Sequence, residues 1–596
     1  MSHRLTVTLL AAALLAACQS NPTAQHSPEA DAAAVAADAY ARQQAGTAQR
    51  EEATLDRIAV TGSRVRSEHA KAVAPAGLAY APAAPPPPPA PAMMMEYRAA
   101  HALSVPHATS VNTEKYADRD DNPVRRTLDE PVSTFSVDVD TGSYSNVRRM
   151  VRAGQRPPAD AVRAEEFINY FDYRHPAPER RAVPFRVTTE LAPAPWNPRR
   201  QLLMIGIKGY ELPRGELPPS NLVFLIDTSG SMDEPDKLPL LKQSLAMLVP
   251  QLRAQDRVSI VVYAGSAGLV LPPTPGDAHA TILAALDRLQ AGGSTNGGAG
   301  IALAYAMARQ AFIPGGSNRV LLATDGDFNV GTVDQRALET LVGDARRSGV
   351  ALSTLGFGQG NYNDALAERL ADVGDGQHAY IDSDREARKV LVQQLQGTLL
   401  TIARDVKIQV EFNPAAVAEY RLIGYENRAL AREDFANDKV DAGEIGAGHE
   451  VTALYELTPA GSDAARLPAL RYGAPVKPSA DAREIADLRL RYKRPGEDAS
   501  RLIDAPILAS SARTQGSASL RFASAVAGYA DLLRGGTRFD GWGWDQVIAT
   551  ARAASGQDPD GLRHEFVELA TTARALTTPG QGEGVAAAPA APALVR

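Results

Sequence analysis

Between residues 219 and 402, short apolar runs alternate with segments whose apolar residues recur at helical spacing. The runs are Leu222–Ile226, Arg257–Tyr263, Arg319–Ala323, Ala351–Phe357 and His378–Ile381. The helical patterns lie near 237–252, 277–290, 298–311, 333–347, 363–373 and 384–402. A strand that is apolar along its whole length is covered on both faces, as in a parallel sheet flanked by helices. The pattern predicts a doubly wound, Rossmann-like α/β domain that receives ligands at the carboxyl ends of its strands.

On either side of this segment the period changes to two. Thr134–Asp140, 184–192 and 201–209 read as strands before it. Val406–Phe412, 417–424, 450–457 and 485–492 read as strands after it. The expected arrangement is one β-sandwich, built from both flanks, with the α/β domain inserted in it. Helical patterns at 144–153 and 158–171 belong to the first flank, and those near 518–534, 545–553 and 562–575 close the chain. The expected boundaries are 111–218 for an N-terminal α+β region, 219–402 for the α/β domain and 403–578 for a β-rich and helical C-terminal domain. A Gly/Ala/Pro tail, 579–596, follows.

The first 110 residues differ in kind. Arg4 precedes an apolar stretch, Leu5–Ala17, too short to span a membrane, and small residues lead into Cys18, the only cysteine of 596 residues. Leu15-Ala16-Ala17-Cys18 resembles the bacterial lipobox. The resemblance implies a signal peptide over 1–18, lipidation of the Cys18 thiol and a lipid anchor in a Gram-negative envelope. Gln19 after the cysteine points to the outer membrane, with the protein facing the periplasm. Residues 19–110 are rich in Ala, Pro, Ser and Gln, with five prolines at 85–89, and read as a disordered, extended tether. Within it Leu55–Arg64 resembles a segment near the start of some TonB-dependent receptors; otherwise it is a short β-prone patch in a linker.

Composition is that of a folded protein, 44% hydrophobic and 22% charged, and the net charge of −7 excludes the basic footprint of a nucleic-acid binder. The Gly-rich stretch 292–300 lacks the Gly-Lys-Ser/Thr ending of a phosphate loop and no Lys is near it in sequence, so nucleotide binding is not expected. Asp138–Ser143 has the look of a calcium loop, but Arg149 stands where the twelfth-position Glu is needed, and a strand end is the simpler reading. No Gly-x-Ser-x-Gly and no His-Glu-x-x-His occurs, so an enzyme is not expected. His378 reads as a structural histidine, His564 as a surface residue, and Trp542 and Trp544 as packing for the last helices.

The chemistry concentrates at three strand-to-loop junctions. The first apolar run leads into Asp227-Thr228-Ser229-Gly230-Ser231, where alternate side chains can converge as the loop turns. One carboxylate and two hydroxyls make a hard oxygen site suited to Mg²⁺, with Mn²⁺ or Ca²⁺ as alternatives. Gly292–Gly298 adds the Thr295 hydroxyl before a helix. Arg319–Ala323 runs into Thr324-Asp325-Gly326 and a second carboxylate; Asp327, two residues on, could tune the metal but reads more simply as a loop cap or a residue behind the ligands. In a doubly wound sheet all three loops meet at one edge.

Together Asp-Thr-Ser-Gly-Ser, Gly-Gly-Ser-Thr and Thr-Asp-Gly resemble the metal-ion-dependent adhesion site of von Willebrand factor A domains. The resemblance implies a divalent ion held by Asp227, Ser229, Ser231, Thr295 and Asp325, with one position open to an Asp or Glu carboxylate of a partner protein. Ser133–Asp140, Asn146–Arg149, Arg163–Phe171, Thr324–Gly331 and Tyr425–Arg428 further resemble bacterial YfbK-type exported proteins, over about 115–575. The expected function is metal-dependent protein binding at the envelope. The alternative is a scaffolding lipoprotein whose metal only stabilises the loops. A metal-assisted hydrolase is disfavoured, because the hydroxyl-rich site leaves no evident general base.

Overall fold

The computed structural model describes residues 113–264, 266–293, 297–326, 335–468 and 483–577. Cys18, the tether, the 55–64 segment, Thr295, Asp327 and the C-terminal tail therefore lie outside the described residues.

Along the chain, β1 (Arg125–Arg126), β2 (Val132–Ser136), α1 (Gly142–Arg152), α2 (Ala164–Asn169), β3 (Phe185–Ala194) and β4 (Asn197–Gly209) come first. The α/β segment then runs β5 (Ser220–Asp227), α3 (Leu238–Leu248), β6 (Arg257–Tyr263), β7 (Ala267–Pro275), α4 (His279–Asp287), α5 (Gly297–Gln310), β8 (Ser317–Thr324) and α6 (Gln335–Arg347). It continues through β9 (Ala351–Gly356), α7 (Asp364–Val373), β10 (His378–Tyr380) and α8 (Asp384–Arg388). A π turn, Lys389–Gln393, leads into α9 (Leu395–Leu399). Then come β11 (Thr401–Phe412), β12 (Val417–Ile423), β13 (Gly443–Gly446), β14 (Glu450–Pro459), β15 (Glu484–Lys493) and β16 (Arg501–Leu508). Helices α10 (Ala518–Arg534), α11 (Trp544–Ala554) and α12 (Leu562–Thr577) close it.

The α/β segment forms a sheet in the order β10-β9-β8-β5-β6-β7, parallel except for β7. Alternate residues of β5 serve its two faces: Leu222, Phe224 and Ile226 pack with α3 and α4, Val223 and Leu225 with α5 and α6. The antiparallel β7 corrects the all-parallel expectation. Only three residues separate it from β6, and a parallel return needs a crossover of about a dozen. The helix expected over 384–402 is also corrected, since it breaks at the π turn.

The two flanks build two antiparallel sheets, β1-β12-β14-β4-β3 and β13-β11-β15-β16, with β2 alongside β11. Strands from before and after the α/β domain hydrogen-bond to each other, as β4 does with β14 and β2 with β11. The α/β domain is thus an insertion in this sandwich. Strand β4 is apolar on both faces for a local reason. Leu203, Ile205 and Ile207 enter the core between the sheets, while Leu202 and Met204 pack under α1, α2 and the three last helices. Trp542 lies in this helical core, its ring 5.6 Å from that of Trp196, and Trp544 packs against Tyr529.

The α/β domain is docked on this body through buried ions. Arg148 of α1, 1% exposed, donates from Nε to Asp382 (2.7 Å) and from Nη2 to Glu386 (2.8 Å). Arg163 pairs with Asp364 and Glu166. Arg428 donates to Asp138 at 3.1 Å and to Asp372 at 2.8 Å. Asp140 accepts the backbone N–H of His378 at 2.8 Å, and the His378 ring is held between Thr354 and Tyr362. Asp138 and Asp140 are therefore consumed by this seam, and β2 stops at Ser136 rather than running on to Asp140.

Buried acids along the seam and its surroundings have displaced ionisation. Burial, then Glu426 and Asp138, push Glu165 up to about 8; burial pushes Glu166 up to about 7 and, helped by Asp172, Glu450 up to about 8. Such groups hold protons in the folded state that the unfolded chain has released. Stability is therefore expected to fall as pH rises from about 4.5 to 8. Thermal melts at pH 5.5 and 8 check this, and Glu450→Gln should flatten the dependence. An unchanged slope in that variant would refute Glu450's share.

Candidate metal centre

Strand order places the candidate site. The chain moves from β5 to β6 on one side and returns to β8 on the other, so the crevice opens at the carboxyl ends of β5 and β8. Ile226 lies in register with Ala323, which brings Asp227 and Asp325 to the same edge as each strand ends. Both carboxylates are fully buried.

The Asp227 loop is tightly held. Asp227 Oδ1 accepts the backbone N–H of Ser229 at 2.8 Å, and Oδ2 accepts the Thr324 hydroxyl at 3.3 Å. Ser229 Oγ and Ser231 Oγ are 3.0 Å apart. The N–H of Gly230 donates to Gly293 O at 3.0 Å, and that of Gly292 to Thr228 O at 2.8 Å. The start of the Gly-rich loop is thus fastened to the Asp227 loop. Thr295 lies outside the described residues, so four of the five expected ligands are placed and share this edge.

Electrostatics separates the two acids. Burial pushes Asp227 up to about 6, partly offset by its bonds from Ser229, and Asp325 adds repulsion. Burial also opposes charge on Asp325. Lys237, Asn361 and Ser231 together outweigh it and hold the carboxyl below its ordinary range. Lys237 Nζ is 2.9 Å from Asp325 Oδ2 and 3.1 Å from Asn361 Oδ1, while Asn361 Nδ2 donates to Asp325 at 3.1 Å.

Lys237, Asn361 and Thr324 were absent from the expected ligand set. A lysine does stand in this site, although none lies near the Gly-rich stretch in sequence. It comes from the start of α3, and no short motif links it to Asp325, 88 residues on. Gly326 is the backbone feature that fits: at φ +86° it lies against Tyr362 and Asn363, where a Cβ would come within 2.2 Å of the Asn363 nitrogen. That close approach brings the Asn361 loop to Asp325. An N-terminal strap fastens the same loop, with the N–H groups of Thr113 and Lys115 donating to Gly360 O and Tyr362 O at 2.8 and 3.0 Å.

Among the described residues no three His, Cys, Asp or Glu side chains gather as a metal-binding group. The donors here are of another kind: two carboxylates and two hydroxyls, all hard oxygens. Two acids whose charges repel, one of them balanced by an ammonium, fit a site that takes a cation.

The profile of the von Willebrand factor type A domain matches residues 221–397. A profile named von Willebrand factor matches 110–204, and that of the C-terminal region of YfbK matches 397–576. The chain is 48% identical over 488 residues to the Escherichia coli protein YfbK, covering 80% of this chain and 84% of that protein. It is 26% identical over 264 residues to human inter-alpha-trypsin inhibitor heavy chain H3, covering 40% of this chain and 28% of that one. Among solved structures, a von Willebrand factor type A protein from Catenulispora acidiphila aligns with a TM-score of 0.38 and 14% identity, covering 66% of this chain and 91% of that one.

Proposed function

Because this chain belongs to the YfbK family of proteins with a von Willebrand factor type A domain, we propose that it is a metal-dependent protein-binding module. Asp227, Ser229, Ser231, Thr295 and Asp325 would hold a divalent cation, Mg²⁺ by preference and Mn²⁺ or Ca²⁺ otherwise. When bound, the cation supplies an open coordination position that a carboxylate of the partner can fill. The chain's own residues supply rigidity. Thr324 and the Ser229 N–H fix Asp227, and the Gly292 and Gly293 bonds hold the neighbouring loop.

The observation that carries this reading is the convergence of Asp227, Ser229, Ser231 and Asp325 at the carboxyl edge, at the junction where the strand order reverses. The Leu15–Cys18 sequence supports anchoring in the envelope by a lipid on Cys18. Among the described residues no helix is long and apolar enough to cross a membrane. The test is capture of an envelope protein by the immobilised chain in Mg²⁺ and in EDTA. Metal that changed stability but no interaction would leave the scaffolding role instead.

A further inference from the structure

Lys237 breaks three local rules at once. It occupies the N-cap of α3, where Ser, Thr, Asp or Asn would bond the free N–H groups, and it makes no side-chain cap. It sets a cation at the positive end of that helix. It is also buried, at 5% exposure, although lysine stems ordinarily carry their charge to water. Gly358 makes room for it: at φ +74° it has no Cβ, and one placed there would stand 2.4 Å from Lys237 Cγ and 2.5 Å from Cε. The bonds that hold the ammonium run to the metal-site acid and to Asn361, which itself bonds that acid.

We propose that Lys237 is a built-in counter-cation, which balances Asp325 when no metal is bound and weakens the site's affinity for a divalent cation. The inference rests on the metal-binding reading above. A fixed positive charge within a few ångströms of a divalent ion opposes its entry. The same charge keeps two buried acids tolerable when the ion is absent. The site would thus release and take up its ion reversibly rather than hold it permanently.

The experiment is calorimetric titration of Mg²⁺ into the EDTA-stripped full chain, for the wild type, Lys237→Met and Lys237→Arg, together with thermal melts of the metal-free forms. Lys237→Met is expected to bind Mg²⁺ at least about tenfold more tightly. Its metal-free form is expected to melt lower than the metal-free wild type. Lys237→Arg, which keeps the charge, should stay nearer the wild type in affinity. A purely structural lysine would give weaker binding on removal, never tighter. Equal or weaker Mg²⁺ binding by Lys237→Met, with a wild type that binds, overturns this inference alone. Binding by neither protein overturns the metal-binding reading and the inference with it. Binding by Lys237→Met only would support it. Should Lys237→Met fail to fold without metal, Lys237→Gln, whose amide can still donate to Asp325, carries the same expectation.

Discussion

Arg148→Met is expected to destabilise the folded chain by about 3–5 kcal/mol, the range for removing one member of a buried ion cluster. The guanidinium is enclosed. It donates to Asp382, Glu386 and the Tyr170 hydroxyl and lies 3.7 Å from Glu565. Lys389 sits over the Tyr170 ring and 3.8 Å from Glu386, too far to take over that bond, and Arg152 and Arg385 are engaged with Glu565 at 2.5 and 2.8 Å. Methionine fills much of the volume and leaves Asp382 and Glu386 without their guanidinium, while Glu565 keeps Arg152 and Arg385. Urea unfolding should show the loss, and proteolysis should cut faster around the π turn at 389–393, which lies on the α/β side of the seam. The double variant Arg148→Met with Glu386→Gln should be less unstable than the sum of the two single changes, because each removes part of the same interaction. Additive effects would show that the two groups do not act together.

Asp227→Asn is expected to weaken Mg²⁺ binding by at least about a hundredfold while leaving the metal-free fold intact. The amide keeps an oxygen facing the Ser229 N–H and gives up the charge. A carboxyl pushed up to about 6 by burial is a cost to the folded state at higher pH. Metal-free Asp227→Asn should therefore be as stable as the wild type, or more so, at pH 8. With Mg²⁺ at 100 times the wild-type dissociation constant, the wild type should gain about 2.7 kcal/mol and the variant almost nothing. Melting curves in Mg²⁺ and in EDTA read both effects. A variant that still gains stability from Mg²⁺ would remove Asp227 from the ligand set.

The carboxyl-edge acids were legible because each sits where a near-continuous apolar strand stops. Leu222–Ile226 and Arg319–Ala323 are strongly patterned, and a parallel sheet aligns their ends. The insertion in a sandwich was legible from the return of period two on both sides. Strands β13 and β16 were not, since β13 has only four residues and β16 is an edge strand with most of its residues exposed, so neither carries an apolar alternation. Lys237 escaped because hydrophobic periodicity carries no information on which distant carboxylate a lysine meets.

The seam shows a subtler limit. Ser133–Asp140, Asn146–Arg149, Arg163–Phe171 and Tyr425–Arg428 stood out as family-like stretches with no assigned task. In the structure they supply Arg148, Arg163 and Arg428, the cations that reach across to the α/β domain, Asp140, which accepts the His378 N–H, and Asp138 and Glu166, which brace Arg428 and Arg163 from their own side. Their pairing partners, Asp364, Asp372, Asp382 and Glu386, lie far away in sequence on the other side of the interface. Charge pairing across such distances follows from the assembled fold and leaves no local period to read.

We propose that an open metal at Asp227 and Asp325 captures a partner's carboxylate. The most direct test is a pull-down from detergent-solubilised envelopes with the immobilised full chain, in Mg²⁺, in EDTA, and with Asp227→Ala in Mg²⁺, read by mass spectrometry. The expected result is a protein captured by the wild type in Mg²⁺ and lost in both other arms, while the fold of Asp227→Ala survives. The same protein captured equally in all three arms would contradict it.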